Sequence, residues 1–278
     1  MKSLSRILFA FVLIWGCLVP TAGKAGEWIN PGDERFLFVG GVFLPAIDTS
    51  VRVDNANTGG IGDEINLEDD LGFDDTQTTF YGNFTWRFFP RHRLGVGYFR
   101  FKDDTTATAQ RNLEIGDEIF PVGASLSTEF KFEIFPIHYS YSFIKREKVE
   151  FAGTVGLHWY HIDFMVGGSL SLGNLDADAQ VTAKANAPLP LLGLSFRYNF
   201  TPKWTASIQG EAFALSIDDF DGNLVNLAAR TEYWFFNHFG AGLALNWFRL
   251  DVEVDSSDWR GELEYKYWGP QIYITARF

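Results

Sequence analysis

The sequence is poor in sulfur. Among its 278 residues there is one cysteine, Cys17, and there are two methionines. Cys17 lies in a leading segment expected to be removed, so the working chain carries no thiol. That excludes a disulfide framework, a thiolate metal site and a cysteine nucleophile. Basic residues are the minority charge: 23 Lys and Arg face 35 Asp and Glu, for a formal charge of −12. Such a balance argues against nucleic acid as a partner. Beyond the leading segment there is also no apolar stretch approaching the ~18 residues that a membrane helix needs. What the chain has instead is aromatic weight: 28 Phe, 10 Tyr and 9 Trp, together with 27 Gly. Hydrophobicity spread over alternate positions rather than gathered in runs suits strands throughout.

The first residues read as an export signal. Met1-Lys2-Ser3-Leu4-Ser5-Arg6 is basic, residues 7–19 are apolar, and Ala22, Gly23 and Ala25 are small. That order is the secretory pattern, with cleavage expected after Ala25, and the apolar run is shorter than the roughly 20 residues of a spanning helix. The expected organisation is residues 1–25 as signal peptide and 26–278 as one β domain. Ile14-Trp15-Gly16-Cys17 fits a lipoprotein box poorly, because a bulky Trp precedes the small residue. Removal of Lys2, Arg6 and Lys24 leaves the exported chain more acidic than its precursor.

Alternation places ten strands along the remainder, near 35–53, 76–89, 93–112, 124–144, 149–169, 181–200, 204–218, 224–236, 240–255 and 260–278. Short connections such as Phe89-Pro90-Arg91-His92-Arg93, Ile144-Lys145-Arg146-Glu147-Lys148, Phe200-Thr201-Pro202-Lys203-Trp204 and Phe236-Asn237-His238-Phe239 set turn formers between aromatic or aliphatic shoulders. The other connections are polar and acidic. The first, 55–76, holds Asp63, Glu64, Glu68, Asp69, Asp70, Asp74 and Asp75, and a later one is Gly173-Asn174-Leu175-Asp176-Ala177-Asp178. Alternating short and long connections with an even strand count bring both termini to one end. The expected fold is all-β: a transmembrane antiparallel up-and-down β-barrel of about ten strands, with eight or twelve as alternatives.

With the aromatics facing lipid, the opposite rows must face the lumen. Those rows carry Arg87, His138, Glu150, Arg197, Glu211, Arg230, Glu232 and Arg277, so charges of both signs share a small interior. They either pair and close it or line a narrow pore, and barrels of this size leave little room. Three strands share a further pattern: Tyr98-Phe99-Arg100-Phe101-Lys102, Trp159-Tyr160-His161-Ile162-Asp163 and Trp247-Phe248-Arg249-Leu250-Asp251. After each aromatic pair the apolar row changes face. For the two later strands we expect emergence from the membrane, with water outside and an apolar interior. For the first, whose apolar stretch from Leu94 to Tyr98 is short, we expect a bulge.

The chain ends Tyr273-Ile274-Thr275-Ala276-Arg277-Phe278, an alternating strand closed by an aromatic. With the export signal and the aromatic-rich strands, this resembles the small Gram-negative outer-membrane β-barrel proteins related to OmpA and OmpW. Gly62-Asp63-Glu64-Ile65-Asn66-Leu67-Glu68-Asp69-Asp70-Leu71-Gly72-Phe73-Asp74 and Trp86-Arg87-Phe88 also resemble that group. The resemblance implies an integral protein of the cell outer membrane with acidic extracellular loops. Its implied partners are outer-membrane lipid, lipopolysaccharide and the assembly machinery, the last reading Phe278 as an insertion signal. It implies a structural, surface-interaction or narrow porin-like role, with passage of small apolar molecules as the alternative.

Enzymatic readings are weaker. His138 and Ser140 share one face, a spacing seen in outer-membrane lipid A deacylases, but they sit near the short-turn end. His161 and Asp163 lie higher, resembling the His and Asp groups at the rim of ten-stranded outer-membrane proteases. His158 has the opposite parity to His161, so the two cannot face one ion on a regular strand. The first-loop acids do not match an EF-hand order and read as a solvated loop. No catalytic role, cofactor or metal site is expected.

Overall fold

The computed structural model describes residues 28–55, 60–172, 175–217, 220–255 and 260–278; the expected signal peptide and Cys17 lie outside them. Strand propensity and alternation are realised almost everywhere. The elements are β1 (Phe36–Phe43), β2 (Ala46–Val53), β3 (Glu64–Asn66), α1 (Leu67–Leu71), β4 (Thr79–Phe89), β5 (His92–Thr108), β6 (Leu113–Ile115), β7 (Glu118–Phe120), β8 (Ser125–Lys145), β9 (Val149–Leu172), β10 (Leu175–Thr201), β11 (Trp204–Ile217), β12 (Phe220–Trp234), β13 (Phe239–Asp255) and β14 (Arg260–Arg277). The wall runs β1-β4-β5-β8-β9-β10-β11-β12-β13-β14 and closes through β1 onto β14, giving a ten-strand antiparallel barrel. Closure leaves the basal wall no free edge. It is sealed where Phe278 meets the start of β1, since the Phe278 carbonyl accepts the N–H groups of Arg35 at 2.6 Å and Phe36 at 2.8 Å. We call this end, with its short turns, basal, and the other distal.

The expected first strand is broken at Leu44-Pro45 into β1 and β2, because proline brings no N–H to the ladder. β1 bridges β14 and β4, whereas β2 stays on β14 but pairs with β3 on its other side. Above Phe99, β5 pairs with β8 alone, and α1 fills the gap in the wall, with Thr105 donating to the Gly72 carbonyl at 3.2 Å.

The strands are longer than a bilayer requires. β5 and β13 have 17 residues, β8 21, β9 24 and β10 27, against the roughly 9–11 of a spanning strand. Two acidic connections expected as long loops are largely taken up into strand pairing: β9 and β10 pair to Leu172↔Leu175, and β11 and β12 to Ile217↔Phe220. Alternating small and polar residues continue the ladder there and satisfy the backbone by pairing.

The expected slip in β5 is absent. Its register with β8 is unbroken in phase from His92↔Tyr141 to Thr108↔Ser125. The bulges that do occur flank basal turns, at Arg87/Phe89, Ser142/Ile144 and Asn199/Thr201. No bulge is needed because both rows of β5 change chemistry together. Leu94, Val96 and Tyr98 face outward, and Arg100 and Lys102 continue that same row. Phe99 and Phe101 continue the inward row into an apolar core. β9 and β13 behave alike, as expected from emergence into water.

An aromatic ring marks the crossover. Tyr98, Phe135, Trp159, Trp247 and Trp268 all face outward, and Tyr98 and Phe135 lie 4.8 Å apart between centroids. Below the ring, outward side chains such as Ile137, Leu194, Leu243 and Ile274 are apolar and exposed. An apolar belt bordered by aromatics is the outside of a barrel wall in lipid.

Candidate functional site

The interior falls into three layers. In the basal layer Glu150 is buried among arginines, with Arg87 Nη2 and Arg197 Nη1 each at 3.1 Å and Arg93 Nη1 at 3.9 Å. Ser142 donates to the same carboxylate. Arg197 also reaches Glu34 at 3.6 Å. The turn before β1 folds across this cluster: Asn199 donates to the Pro31 carbonyl at 2.8 Å, and Lys145 donates to that of Gly32 at 2.9 Å and pairs with Asp33. Gly32 has φ +100°, and a Cβ there would lie 2.9 Å from both Arg197 Nη1 and Glu150 Oε2, so only glycine lets the turn pass. Arg277 stacks 4.0 Å above the Trp234 ring and donates Nε to the Asn237 carbonyl at 2.8 Å. Glu232 accepts from Tyr273 at 3.1 Å.

The middle layer lines the upper part of a cavity of about 280 Å³ that reaches down to Glu34, Glu150 and Arg197 of the basal layer. Here His138 from β8 and His158 from β9 meet Nε2 to Nε2 at 2.8 Å, and His138 Nε2 lies 3.6 Å from Glu211 Oε1 on β11. Glu211 is held by Gln209 at 2.6 Å and by Asn226 at 2.8 Å, and Arg230 donates to Gln209 at 3.0 Å. Tyr160 Oη stands 3.1 Å from His158 Nδ1.

The distal layer is an apolar core. Phe130, Phe132, Leu250, Leu263 and Tyr265 are all 0 % exposed, and the Phe132 and Tyr265 rings lie 4.4 Å apart. Two segments cap it. The acidic first connection is not a free solvated loop: Ile65, Leu67, Leu71 and Phe73 are buried, which drives β3 and α1 onto the core. Asn66 caps α1 by accepting from the Asp69 N–H at 2.8 Å, and Gly72 ends it at φ +72°. Glu68 accepts the Thr49 N–H at 2.8 Å. Burial raises its carboxyl above the usual value, and the Thr49 hydrogen bond opposes that only in part. The hairpin of β6 and β7 buries Leu113, Ile115 and Phe120 beside it and ties to β2 through the Gly116 N–H and the Val53 carbonyl at 2.8 Å.

All eight lumen residues named from the sequence face the interior, but they do not form one network. Arg87, Glu150 and Arg197 share an ion cluster; His138, Glu211 and Arg230 belong to the middle layer; Glu232 and Arg277 hold separate contacts. Phe278 stacks on His238 with centroids 5.2 Å apart. Sequence reasoning missed Glu34, Arg93 and His158 as lumen groups. The signal for His158 was the short turn after Ile144, which sets His138 opposite Gly156 and thus diagonal to His158. Ser140 bonds Thr154 at 2.8 Å rather than His138. His161 and Asp163 lie 3.6 Å apart on the outer wall.

No family model matches the chain, and no curated protein matches it. Solved structures do. The outer membrane protease OmpT from Escherichia coli superposes with a TM-score of 0.56 at 11% identity, covering 91% of this chain and 99% of that one. The Pseudomonas putida toluene transporter TodX gives 0.33 at 10% identity over 90% and 92%, and Yersinia pestis Ail, the attachment invasion locus protein, 0.33 at 9% over 87% and 99%. At such identities the likeness concerns fold alone. With its lipid-suited basal belt and its charges turned inward, the chain has the fold of the Gram-negative outer-membrane β-barrels.

Proposed function

We propose that this protein is a sealed, non-enzymatic barrel of the outer membrane, whose distal half stands in water outside the cell and serves envelope structure or surface interaction. The observation that carries this reading is the interior: packed aromatic and aliphatic side chains distally, ion clusters and a crossing turn basally. A continuous water path would have to displace Phe130, Phe132 and Tyr265, each 0 % exposed. The non-enzymatic part rests on Ser140 having a threonine instead of a base, and on His161 and Asp163 facing outward. Charged groups just above the aromatic ring support lipopolysaccharide as a partner. Arg100, Lys102, Lys131, Arg249 and Lys266 stand where the headgroups of an outer leaflet would lie, paired with Glu133, Glu129, Asp251 and Glu264. Phe278 at the closing seam suits recognition by an assembly machinery before closure.

The test is conductance of the refolded chain in a planar lipid bilayer. Sealed barrels give no steps, and a Phe132→Ala, Tyr265→Ala variant that stays folded remains silent so long as the basal cluster and the turn across it stay in place. Stable conductance of the unaltered protein would replace this reading with a narrow porin. A second reading, passage of small apolar molecules, has the apolar distal interior in its favour. It requires that polar substitution at Phe101, Ile162 or Leu250 abolish uptake of such a compound without loss of insertion.

A further inference from the structure

We propose that His138, His158 and Glu211 form a binding site for one divalent transition-metal ion of the zinc class, set inside the barrel between its polar and apolar interiors. One ligand atom from each residue lies within 4.8 Å of the others, and three wall strands supply them. The two histidines present Nε2 to each other at 2.8 Å, and the Glu211 oxygen stands 3.6 Å from one of them. Two imidazole nitrogens on a tetrahedral zinc, each about 2.0–2.1 Å from it, sit roughly 3.3 Å apart, so small side-chain rotations suffice.

A plain hydrogen bond between two histidines explains the shortest contact. It does not explain why a carboxylate is held at the same point. Glu211 is fixed through both oxygens, by Gln209 and Asn226, and each oxygen keeps a lone pair for an ion. His158 is oriented from behind by Tyr160, which can accept Nδ1–H and leave Nε2 free to ligate, the outer-shell arrangement usual for metal-bound histidine. Space is also reserved. Opposite His138 stands Gly156, where a Cβ would lie 2.5 Å from the imidazole Cδ2. Three nitrogen and oxygen ligands, with a fourth position open to the 280 Å³ cavity, match zinc, nickel or cobalt better than calcium or magnesium. Asn226 and Asn246 line that cavity with buried Oδ1 atoms that lack a protein partner, so a metal-bound water would find acceptors there.

The experiment uses untagged full chain refolded in metal-free buffer with cobalt(II) as probe, so that folding does not limit access. We expect one equivalent to bind with visible absorption of four- or five-coordinate cobalt, displaced by zinc. His158→Ala and His138→Ala each weaken binding at least tenfold, and His161→Ala on the outer wall leaves it unchanged. Glu211→Gln and Gly156→Ala keep the two imidazoles but weaken binding, so they carry the test if the alanine variants do not fold. Far-UV circular dichroism and heat-shifted gel mobility report folding for each. A folded wild type that shows no such absorption, or folded variants with undiminished binding, would overturn the proposal.

Discussion

The basal and distal halves of this barrel are built from the same strands and have opposite chemistry. Along β13, Leu243 and Leu245 face outward below the ring, Trp247 lies in it, and Arg249, Asp251 and Glu253 continue that row above it. The inward row runs the other way, from Ala244 and Asn246 to Phe248, Leu250, Val252 and Val254. Nothing in the backbone changes at the crossing, since the β13–β14 ladder is continuous from Phe239↔Ala276 to Asp255↔Arg260. A strand's period of two defines two faces, and the solvent outside decides which of them is apolar. Where lipid is outside, the core is left to polar groups that must pair. Where water is outside, the core is that of an ordinary soluble β protein.

The largest effects test whether the two interiors are held by different forces. Glu150→Ala strips a buried carboxylate from Arg87, Arg93 and Arg197, and breaking such a cluster from one side costs about 3–5 kcal/mol. Leu250→Ala removes fully buried apolar volume from the distal core and costs about 2–5 kcal/mol. Urea unfolding of refolded protein in lipid vesicles measures both. Salt separates them: 1 M NaCl should change the cost of Leu250→Ala little. A basal cluster wet enough to conduct would instead be screened, and the Glu150→Ala penalty would shrink. A penalty below about 1 kcal/mol for Glu150→Ala would mean a water-filled basal interior and remove the contrast.

The outer faces allow a smaller test. Leu243→Arg sets a guanidinium on the lipid side and costs about 2–4 kcal/mol near the midplane. Arg249→Leu, only a few residues along the same row, removes a half-exposed side chain above the lipid belt together with its pairs to Asp251 and Glu264, and should lie within about 1 kcal/mol of the parent. Equal costs would place the membrane boundary elsewhere on β13.

Most of this contrast was legible in the sequence, since alternation reports two faces wherever both rows are chemically pure. The lumen rows, the basal turns and the inversion on β9 and β13 could all be read that way. β5 misled because its apolar outer row is short, which suggested a bulge; what settles its register is pairing with β8, a long-range fact. The distal cap was hidden differently. In Ile65-Asn66-Leu67-Glu68-Asp69-Asp70-Leu71-Gly72-Phe73 the acids dominate composition, and the few apolar residues that anchor the segment are spaced for a single helical turn. The middle layer was half seen. In sequence His158 neighbours His161, but parity separates the two and cross-strand register delivers His158 to His138.

The smallest effect sharpens the contrast at the cap, where an acid is folded against an apolar core. Because burial raises the Glu68 carboxyl above its unfolded value, the folded cap prefers the protonated form. The stabilisation is fully present below the unfolded value of 4.5 and is lost as pH rises through the higher folded value. Hydrogen exchange of the amides in residues 66–72, corrected for the intrinsic pH dependence of exchange, should therefore show slower opening at pH 4 than at pH 7. Glu68→Gln keeps an oxygen to accept the Thr49 N–H and carries no charge at either pH. It should hold the cap closed at pH 7 and flatten the profile, while the basal amides of β13 keep the same protection at both values. A Glu68→Gln profile as steep as the parent's would mean that Glu68 does not set the pH dependence of the cap.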